Sequence, residues 1–485
     1  MDTLGNAPMA TLKENFDQIV QGKLSVSVLG LGMSGVQAAL FLRRCEIPVT
    51  AYDDATRAEF LQRDTGAETI SQLEQAGITL CFAPTKEDFC HKQPALAIIS
   101  PGVPFNSWHV ALLRDQNVFL TNDLELGLVL TQCPYVLITG SNGKTTTSCL
   151  LHHILQQHGM DAHLVGNVGH SLLAELFTYP LREDELAQWY VAEVSSFQIE
   201  SAQGFCPSIG IFLNISPNHL DRHDSLEDYF EIKSSPFRAM RVRSTAILNR
   251  DDELLAELSD DLIAQVQTFG TSQLSSGNGA RISFSSEKDE VYLFRGSDEF
   301  ALDLTGTKLI GLHNRYNIAA AALAALEIGA SLESIEKGIK SFVPIAHRFE
   351  CIVREPVTVI NDSKSTTVAS SKAALSSALS AFPDTTIWLL VGGKDKGGDW
   401  SELARFTKFT PGVVVIPFGQ ASSLIEEAFS AVDLNTHPHA TCKAAIEFAQ
   451  SKAQPGDVIL FTPGGSSFDE FRSYEERGEF FRSCF

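Results

Sequence analysis

The chain has 485 residues, 44% of them hydrophobic, and a formal charge of −22. That length exceeds what one core supports and predicts about three domains. The acidity argues against a nucleic-acid partner but leaves room for a nucleotide site built on local positive charge, and nine scattered cysteines without a Cys-x-x-Cys pair exclude a zinc ribbon and a disulfide framework, reading as reduced thiols of a cytoplasmic protein.

The N-terminus has no signal-peptide apolar core, and residues up to Gln21 read as a polar lead-in. Residues 24–29 read as a strand running into Gly30-Leu31-Gly32-Met33-Ser34-Gly35, with a helix over 36–43 and a strand over 49–52 ending in Asp53-Asp54. This is a G-x-G-x-x-G fingerprint in a βαβ unit, a diphosphate-binding turn whose ligand the residues leave open. Taken alone it suggests NAD or FAD, with Asp53 on a ribose; a solvated strand-end carboxylate is the other reading of Asp53. A strand over 97–99 leads into Ser100-Pro101-Gly102, a loop of the kind that lines the ligand crevice of a doubly wound sheet. Asn122 or Asp123 reads as the N-cap of an apolar helix over 126–130. Cys133-Pro134 marks a boundary.

Tyr135-Val136-Leu137-Ile138-Thr139 is a buried strand, followed at once by Gly140-Ser141-Asn142-Gly143-Lys144-Thr145-Thr146-Thr147 and by apolar positions at helical spacing. Strand, glycine turn and helix start form a phosphate-binding loop, shortened because Ile138 stands where the usual pattern has its first glycine. Lys144 is expected on the outer phosphates of a nucleoside triphosphate and the Thr145 hydroxyl on Mg²⁺. Asn167 lies between Gly166 and Gly169 and reads either as a turn residue or as a polar contact. Glu193 interrupts an otherwise buried strand; a buried carboxylate needs a cation, and beside a P-loop that cation is expected to be Mg²⁺, with a structural arginine the other reading. Asn218, His219, Asp221 and His223 follow the strand over 209–214, with His219 a candidate ligand of a second Mg²⁺, and Lys233 lies on a helix over 226–233.

The motifs Gly140–Thr146, Gly166–Gly169, Glu193–Gln198, Asn218–His223 and the downstream lysine, in this order, resemble the Mur ligase family of peptidoglycan amide-bond ligases. The resemblance implies that Lys144 and Thr145 bind ATP phosphates and Mg²⁺, that Glu193 and His219 hold metal, and that Lys233 is carbamylated and supports the second of two Mg²⁺ ions. It assigns the N-terminal glycine turn to a UDP-sugar, through Gly32, Met33, Ser34, Asp53, Ser100, Pro101, Gly102 and Asn167.

Residues 281–304 alternate like short antiparallel hairpin strands. Asn314 and Asn317 open an alanine-rich helix whose apolar run, 318–326, is far too short to span a bilayer; the family counterpart sends asparagines to adenine, and capping is the other reading for Asn314. Arg348 begins the last domain and, by resemblance, reaches the ATP phosphates. Four strand-and-loop units follow, as in a parallel α/β sheet, with lysines and hydroxyls at the strand ends. The loop Asn361-Asp362-Ser363-Lys364-Ser365-Thr366 looks like the D-glutamate-adding branch of the family. That implies Lys364, Thr366, Lys396, Ser467 and Phe468 at the amino acid and Asp362 at the nucleotide, with Lys394 an alternative to Lys396. The expected fold is α/β in three domains: Rossmann-like over 1–133, P-loop ATPase over 134–346 and Rossmann-like over 347–485. The expected activity is ATP-dependent amide-bond formation through an acyl phosphate, by a cytoplasmic monomer whose partners are small molecules, with no nucleic acid and no membrane insertion. An NAD-dependent oxidoreductase would leave the P-loop and Glu193 unexplained.

Overall fold

The computed structural model describes residues 7–63, 65–90, 93–176, 179–181, 186–216, 223, 225–274, 277–284, 289–353 and 355–485. Two compact units emerge, one from most of the chain up to Ile339, the other from Leu304–Arg315 and Lys340–Phe485. They carry three sheets, all α/β and mostly parallel.

The first unit begins with β1 (Val26–Leu29), β2 (Val49–Asp53), β3 (Thr79–Phe82), β4 (Leu96–Ile99) and β5 (Phe119–Thr121), a parallel sheet in the order β3-β2-β1-β4-β5. Its middle strands β1 and β4 are buried along their whole length, as a sheet covered on both faces requires. The winding reverses beside β1, which opens a crevice at the carboxyl ends of β1 and β4.

The same unit holds β6 (Tyr135–Thr139), β7 (Ala162–Gly166), β8 (Trp189–Glu193), β9 (Ile209–Phe212), β10 (Thr245–Asn249), β11 (Gln265–Gly270), β12 (Asn278–Phe284), β13 (Asp289–Arg295) and β14 (Asp298–Leu302). Strand β6 lies between β8 and β9, so the loop after it falls at a second reversal of winding. Strand β12 extends the parallel part against β11, and β13 with β14 forms the antiparallel hairpin expected there.

The second unit has β15 (Glu350–Val353), β16 (Thr358–Asn361), β17 (Ile387–Gly392), β18 (Val413–Phe418) and β19 (Val458–Gly464), ordered β15-β16-β19-β17-β18. Strands β16 to β19 are the four expected units. Strand β15 is an antiparallel edge strand that the sequence did not announce.

One expectation is overturned. The polar lead-in is a helix, Ala7–Gly22, with Leu12, Phe16 and Ile19 fully buried. Those three recur at helical spacing among polar neighbours, and packing against the first unit's core supplies what the composition hides. Among the described residues, no helix is long and apolar enough to cross a membrane.

Candidate functional site

The first unit contains a cavity of about 520 Å³ at the carboxyl end of β1. One side is the glycine turn. Gly30 sits at φ +84°, and a Cβ on Gly35 would come within 1.9 Å of the Gly30 carbonyl, so both glycines serve the turn itself. Around Gly32 and Gly102 a Cβ would meet nothing within 4 Å. Both line the cavity, so they keep backbone N–H groups approachable at the start of the helix Met33–Arg44, which suits a diphosphate. Met33, Ser34, Asp53, Ser100, Pro101 and Asn167 line the same cavity, so the structure brings together all eight residues expected at a UDP-sugar.

Asp53 is occupied within the fold. Its Oδ2 accepts from the Leu31 N–H (3.1 Å) and Arg63 Nη1 (3.1 Å), its Oδ1 from the Ala55 N–H (3.1 Å) and Arg63 Nη2 (2.8 Å). It therefore shapes the turn and holds Arg63, a second residue of the cavity wall that the sequence reading missed. Asn122 is the N-cap of the helix Asp123–Thr131, accepting from the Glu125 N–H. Asp123, also on the wall, is buried, and burial pushes its carboxyl up to about 6.

The opposite side of the cavity meets the phosphate-binding loop's surroundings. Asn167 donates from its backbone N–H to the Glu193 carbonyl (2.9 Å) and from Nδ2 to Glu193 Oε1 (2.8 Å). Gly166 pairs with Glu193 across the sheet at φ +99°, and a Cβ there would lie 2.3 Å from that carbonyl. Glu193 in turn pairs with Ile138 on β6, one residue before Thr139 and the loop. Its side chain is 1% exposed, and Oε2 has no hydrogen-bond donor. An orphaned buried carboxylate oxygen is the donor a metal ion completes.

The loop itself ends at Gly143 (φ +83°), which N-caps the helix Lys144–Gln157 without any side-chain cap. Lys144 Nζ donates to the carbonyls of Gly140 (2.7 Å) and Ser141 (2.9 Å). Ser141 exchanges hydrogen bonds with Ser216, and the Asn142 N–H donates to Asn214 Oδ1, so the neighbouring strand end fixes the loop. Thr145 is buried and Thr146 half-buried at the helix start. The Thr147 hydroxyl donates to Asn317 Oδ1 (3.2 Å), which brings Asn317 to the loop. Asn314, earlier on the helix Leu312–Ile328, belongs to the second unit, and its Nδ2 donates to the Ile310 carbonyl (2.8 Å).

Lys233 is 1% exposed on the helix Leu226–Arg238. Its Nζ donates to Thr139 Oγ1 (3.1 Å) and the Gly140 carbonyl (3.2 Å), and stands 4.9 Å from the Tyr229 ring. Burial, reinforced by the Lys144 charge, holds its amine well below the ordinary lysine range, against the pull of Glu193. Disfavouring the charged form in this way makes a buried lysine amine more nucleophilic. His223 is buried against Ser196 Oγ (3.0 Å). Asn218, His219 and Asp221 lie outside the described residues.

In the second unit, Asp362 accepts from the Phe349 N–H (3.0 Å), the Thr462 hydroxyl (3.1 Å) and the Ser365 hydroxyl, and burial pushes its carboxyl up to about 6. Arg348 is half-buried in the same neighbourhood, its charge acting on Asp362. Lys364 Nζ stands 3.9 Å over the Tyr474 ring. Thr366 is half-buried, Ser467 buried, Phe468 68% exposed, and both Lys394 and Lys396 are exposed. Lys394 and Ser466 exchange backbone hydrogen bonds, tying the β17 loop to the β19 loop.

One residue that organises these loops was missed. Arg477, fully buried, donates to Ser363 Oγ and its carbonyl and to the Gly465 carbonyl, and among the described residues no carboxylate is bonded to it. Burial lowers its guanidinium to about 10. It joins the two loops expected to hold the amino acid. In sequence it is one more arginine on a charged terminal helix, and nothing local sets it apart.

Comparison with known proteins adds to this geometry. Residues 138–325 match the Mur ligase middle domain and residues 347–465 the Mur ligase glutamate ligase domain. The chain is 34% identical to the UDP-N-acetylmuramoylalanine--D-glutamate ligase of Geotalea daltonii, over 96% of this chain and 97% of that protein. It is also 34% identical to the protein of the same name from Pelotomaculum thermopropionicum, over 94% and 96%. Among solved structures, MurF from Acinetobacter baumannii superposes with TM-score 0.59 at 18% identity, covering 94% of this chain and 92% of that one. MurF from Thermotoga maritima, in complex with ADP, gives 0.57 at 16%, covering 90% and 94%. At those identities the structures bear on the fold alone.

Proposed function

The chain belongs to the Mur ligase family, and from that premise we propose that it joins D-glutamate to UDP-N-acetylmuramoyl-L-alanine in an ATP-dependent ligation through an acyl phosphate. Relatives that span it nearly end to end bear that activity in their names. The observation that carries the reading is the Asn167–Glu193 pair. It joins the wall of the diphosphate-suited cavity to the carboxylate beside the phosphate-binding loop, within one unit. A sugar-nucleotide lying in the cavity and ending at Asn167 has its terminal carboxylate directed toward phosphoryl chemistry.

The chemistry needs charge control. The γ-phosphoryl group passes to the substrate carboxylate, forming a C–O–P link as ADP leaves. The D-glutamate amine then attacks that carbonyl, phosphate departs, and the amine's proton passes to solvent. Carboxylates and triphosphate repel one another, so cations must be preorganised around them. Lys144 is placed for this on the outer phosphates once it exchanges the Gly140 and Ser141 carbonyls for phosphate oxygens. Gly140, Ser141, Asn142, Gly143, Thr145 and Thr146 complete the cradle, with Asn314, Asn317, Arg348 and Asp362 as further ATP contacts.

The family is ATP-dependent and generally requires Mg²⁺. The orphaned Glu193 Oε2 suits one ion, with Thr145 proposed beside it; for a second ion the proposed ligands are a carbamylated Lys233 and His219, which lies outside the described residues. Mg²⁺ supplies Lewis-acid neutralisation of the phosphates. A buried neutral amine adds CO₂ and releases a proton, which turns a buried cation site into an anion able to support metal. Lys364, Thr366, Lys396, Ser467 and Phe468 take the amino acid. The proposed working domains are 1–133 for the UDP-sugar, 134–346 for ATP and 347–485 for D-glutamate, in a cytoplasmic monomer.

Phosphate release measured with ATP, Mg²⁺, UDP-N-acetylmuramoyl-L-alanine and each amino acid singly is the test. Release is expected with D-glutamate. Release with another amino acid instead, or none with D-glutamate, overturns the assignment.

A further inference from the structure

The loop after β17, Gly393-Lys394-Asp395-Lys396-Gly397-Gly398, sets a carboxylate between two lysines. It belongs to the second unit, at the edge read as the amino-acid site. Both lysines are exposed, and among the described residues neither forms an ion pair. Asp395 is turned to neutral donors instead. Its Oδ1 accepts from Trp400 Nε1–H (2.9 Å) and its Oδ2 from the Gly397 N–H (2.9 Å).

The two donors have different roles. The bond from Gly397 closes a short turn around Lys396. The bond from Trp400 ties that turn to the core. Trp400 is 5% exposed, at the start of the helix Trp400–Lys408, in a cluster with Val368, Leu375 and Leu403. A Cβ on Gly464 would lie 2.9 Å from its ring, so the end of β19 packs against it as well. The indole is therefore fixed, and through it the carboxylate. Lys394 is held by other means, its backbone exchanging bonds of 2.8 Å with Ser466 on the β19 loop. Among the described residues Lys396 has no such tie. Its place is set by Asp395 on one side and by the Gly397 bond on the other.

The charge of Asp395 is what calls for an explanation. A carboxylate beside two lysines repels a dicarboxylate substrate and competes with it for the lysines. On that ground alone a neutral residue would serve an amino-acid site better. Holding the indole and the Gly397 N–H together, however, takes two acceptor oxygens, and an asparagine amide offers one. Asp395 gives up electrostatic attraction for a fixed backbone at Lys396, which lowers the ordering cost of binding through that side chain.

We propose that Asp395, anchored by the Trp400 indole, is a positioning residue that holds the Lys396 ammonium in register with a carboxylate of D-glutamate. The inference rests on the reading of Lys396 at the amino acid.

The test is phosphate-release kinetics of the full chain carrying D395N, W400F or K396A, and of the double variants D395N/K396A and W400F/K396A. D395N leaves one of the two donors without its acceptor. W400F keeps the ring in the core and removes the indole donor. A carboxylate that acted only by its charge would give D395N a lower KM for D-glutamate, because repulsion is relieved. Positioning gives the opposite sign: D395N and W400F each raise that KM about tenfold, the size of one hydrogen bond to a charged group. The KM values for ATP and sugar-nucleotide, and kcat at saturating D-glutamate, stay within about twofold. In the K396A background neither substitution raises the KM further, because each acts through that lysine. A KM for D-glutamate that falls or stays level in D395N, an equal rise for all three substrates, or a full effect retained in the K396A background each overturns the proposal. If one of the two positioning variants does not fold, the other decides; loss of folding in both makes the bond a purely structural one and overturns it too. A K396A variant with an unaltered KM for D-glutamate would instead overturn the placement of Lys396 at the amino acid.

Discussion

At the scale of single residues, the first unit keeps two carboxyl groups that folding alone would not choose. Glu193 Oε2 is buried without a donor, and its cationic neighbour is weakened because burial and Lys144 hold the Lys233 amine toward neutrality. Glu193→Gln keeps the volume and the bond from Asn167 while removing the buried charge. Its stability, read by urea unfolding, is expected to be equal or higher by on the order of 1 kcal/mol. Phosphate release is expected to fall on the order of 100- to 1000-fold, as a lost metal ligand implies. A less stable variant would mean the carboxylate is balanced within the protein. Asp123 gives the pH counterpart. Burial raises its carboxyl from 3.8 to about 6 in the folded state. Below the unfolded value both states hold the proton. Between the two values the unfolded carboxyl ionises first, so folding takes up a proton and stability falls as pH rises. Above about 6 the deficit is constant, at most about 3 kcal/mol at ~1.36 kcal/mol per pKa unit. Asp123→Asn removes it. Its stability advantage over the unaltered protein is expected to be larger at pH 8 than at pH 5, and an advantage independent of pH would place the proton elsewhere.

At the scale of elements, legibility followed the distance over which each element is determined. Strand β6, its glycine turn and the helix after it were readable because one continuous stretch carries apolar run, turn residues and helical spacing. The glycine turn after β1 was readable for the same reason. The helix Ala7–Gly22 was not, because its buried residues Leu12, Phe16 and Ile19 are separated by polar ones such as Lys13, Glu14, Asp17 and Gln18. Strand β15 was not, because an antiparallel edge strand of four residues owes its existence to β16. The site divides in the same way. Lys144 and Glu193 declared themselves through their neighbours in sequence, whereas the triple role of Arg477 arises only when remote segments meet. The N-terminal helix offers a direct check. Phe16 is fully buried, stacked on Phe41 and edge-on to Tyr179. Phe16→Ala is expected to cost about 3–5 kcal/mol in urea unfolding of the first unit, whereas a residue in a solvated lead-in would cost less than about 0.5 kcal/mol.

At the scale of the whole molecule, the two units have separate cores. The large cluster that includes Phe16, Phe41, Leu137 and Phe212 belongs to the first, and the clusters around Leu389 and Phe461 belong to the second. Units with their own cores unfold as separate cooperative transitions, and a single unfolding free energy then has no meaning for the chain. A ligand raises the stability only of the unit that binds it, by RT ln(1 + [L]/Kd), or about 2.7 kcal/mol at a hundredfold excess over Kd. The diphosphate-suited cavity lies wholly within the first unit. Scanning calorimetry with UDP at that excess is therefore expected to move the first unit's transition upward by several degrees and to leave the second unit's where it was. Phe16→Ala identifies which transition is which, since it lowers the first unit's alone. A UDP shift confined to the transition that Phe16→Ala leaves unmoved would place the nucleotide in the second unit and remove the physical basis for joining sugar-nucleotide and phosphoryl chemistry through Asn167 and Glu193.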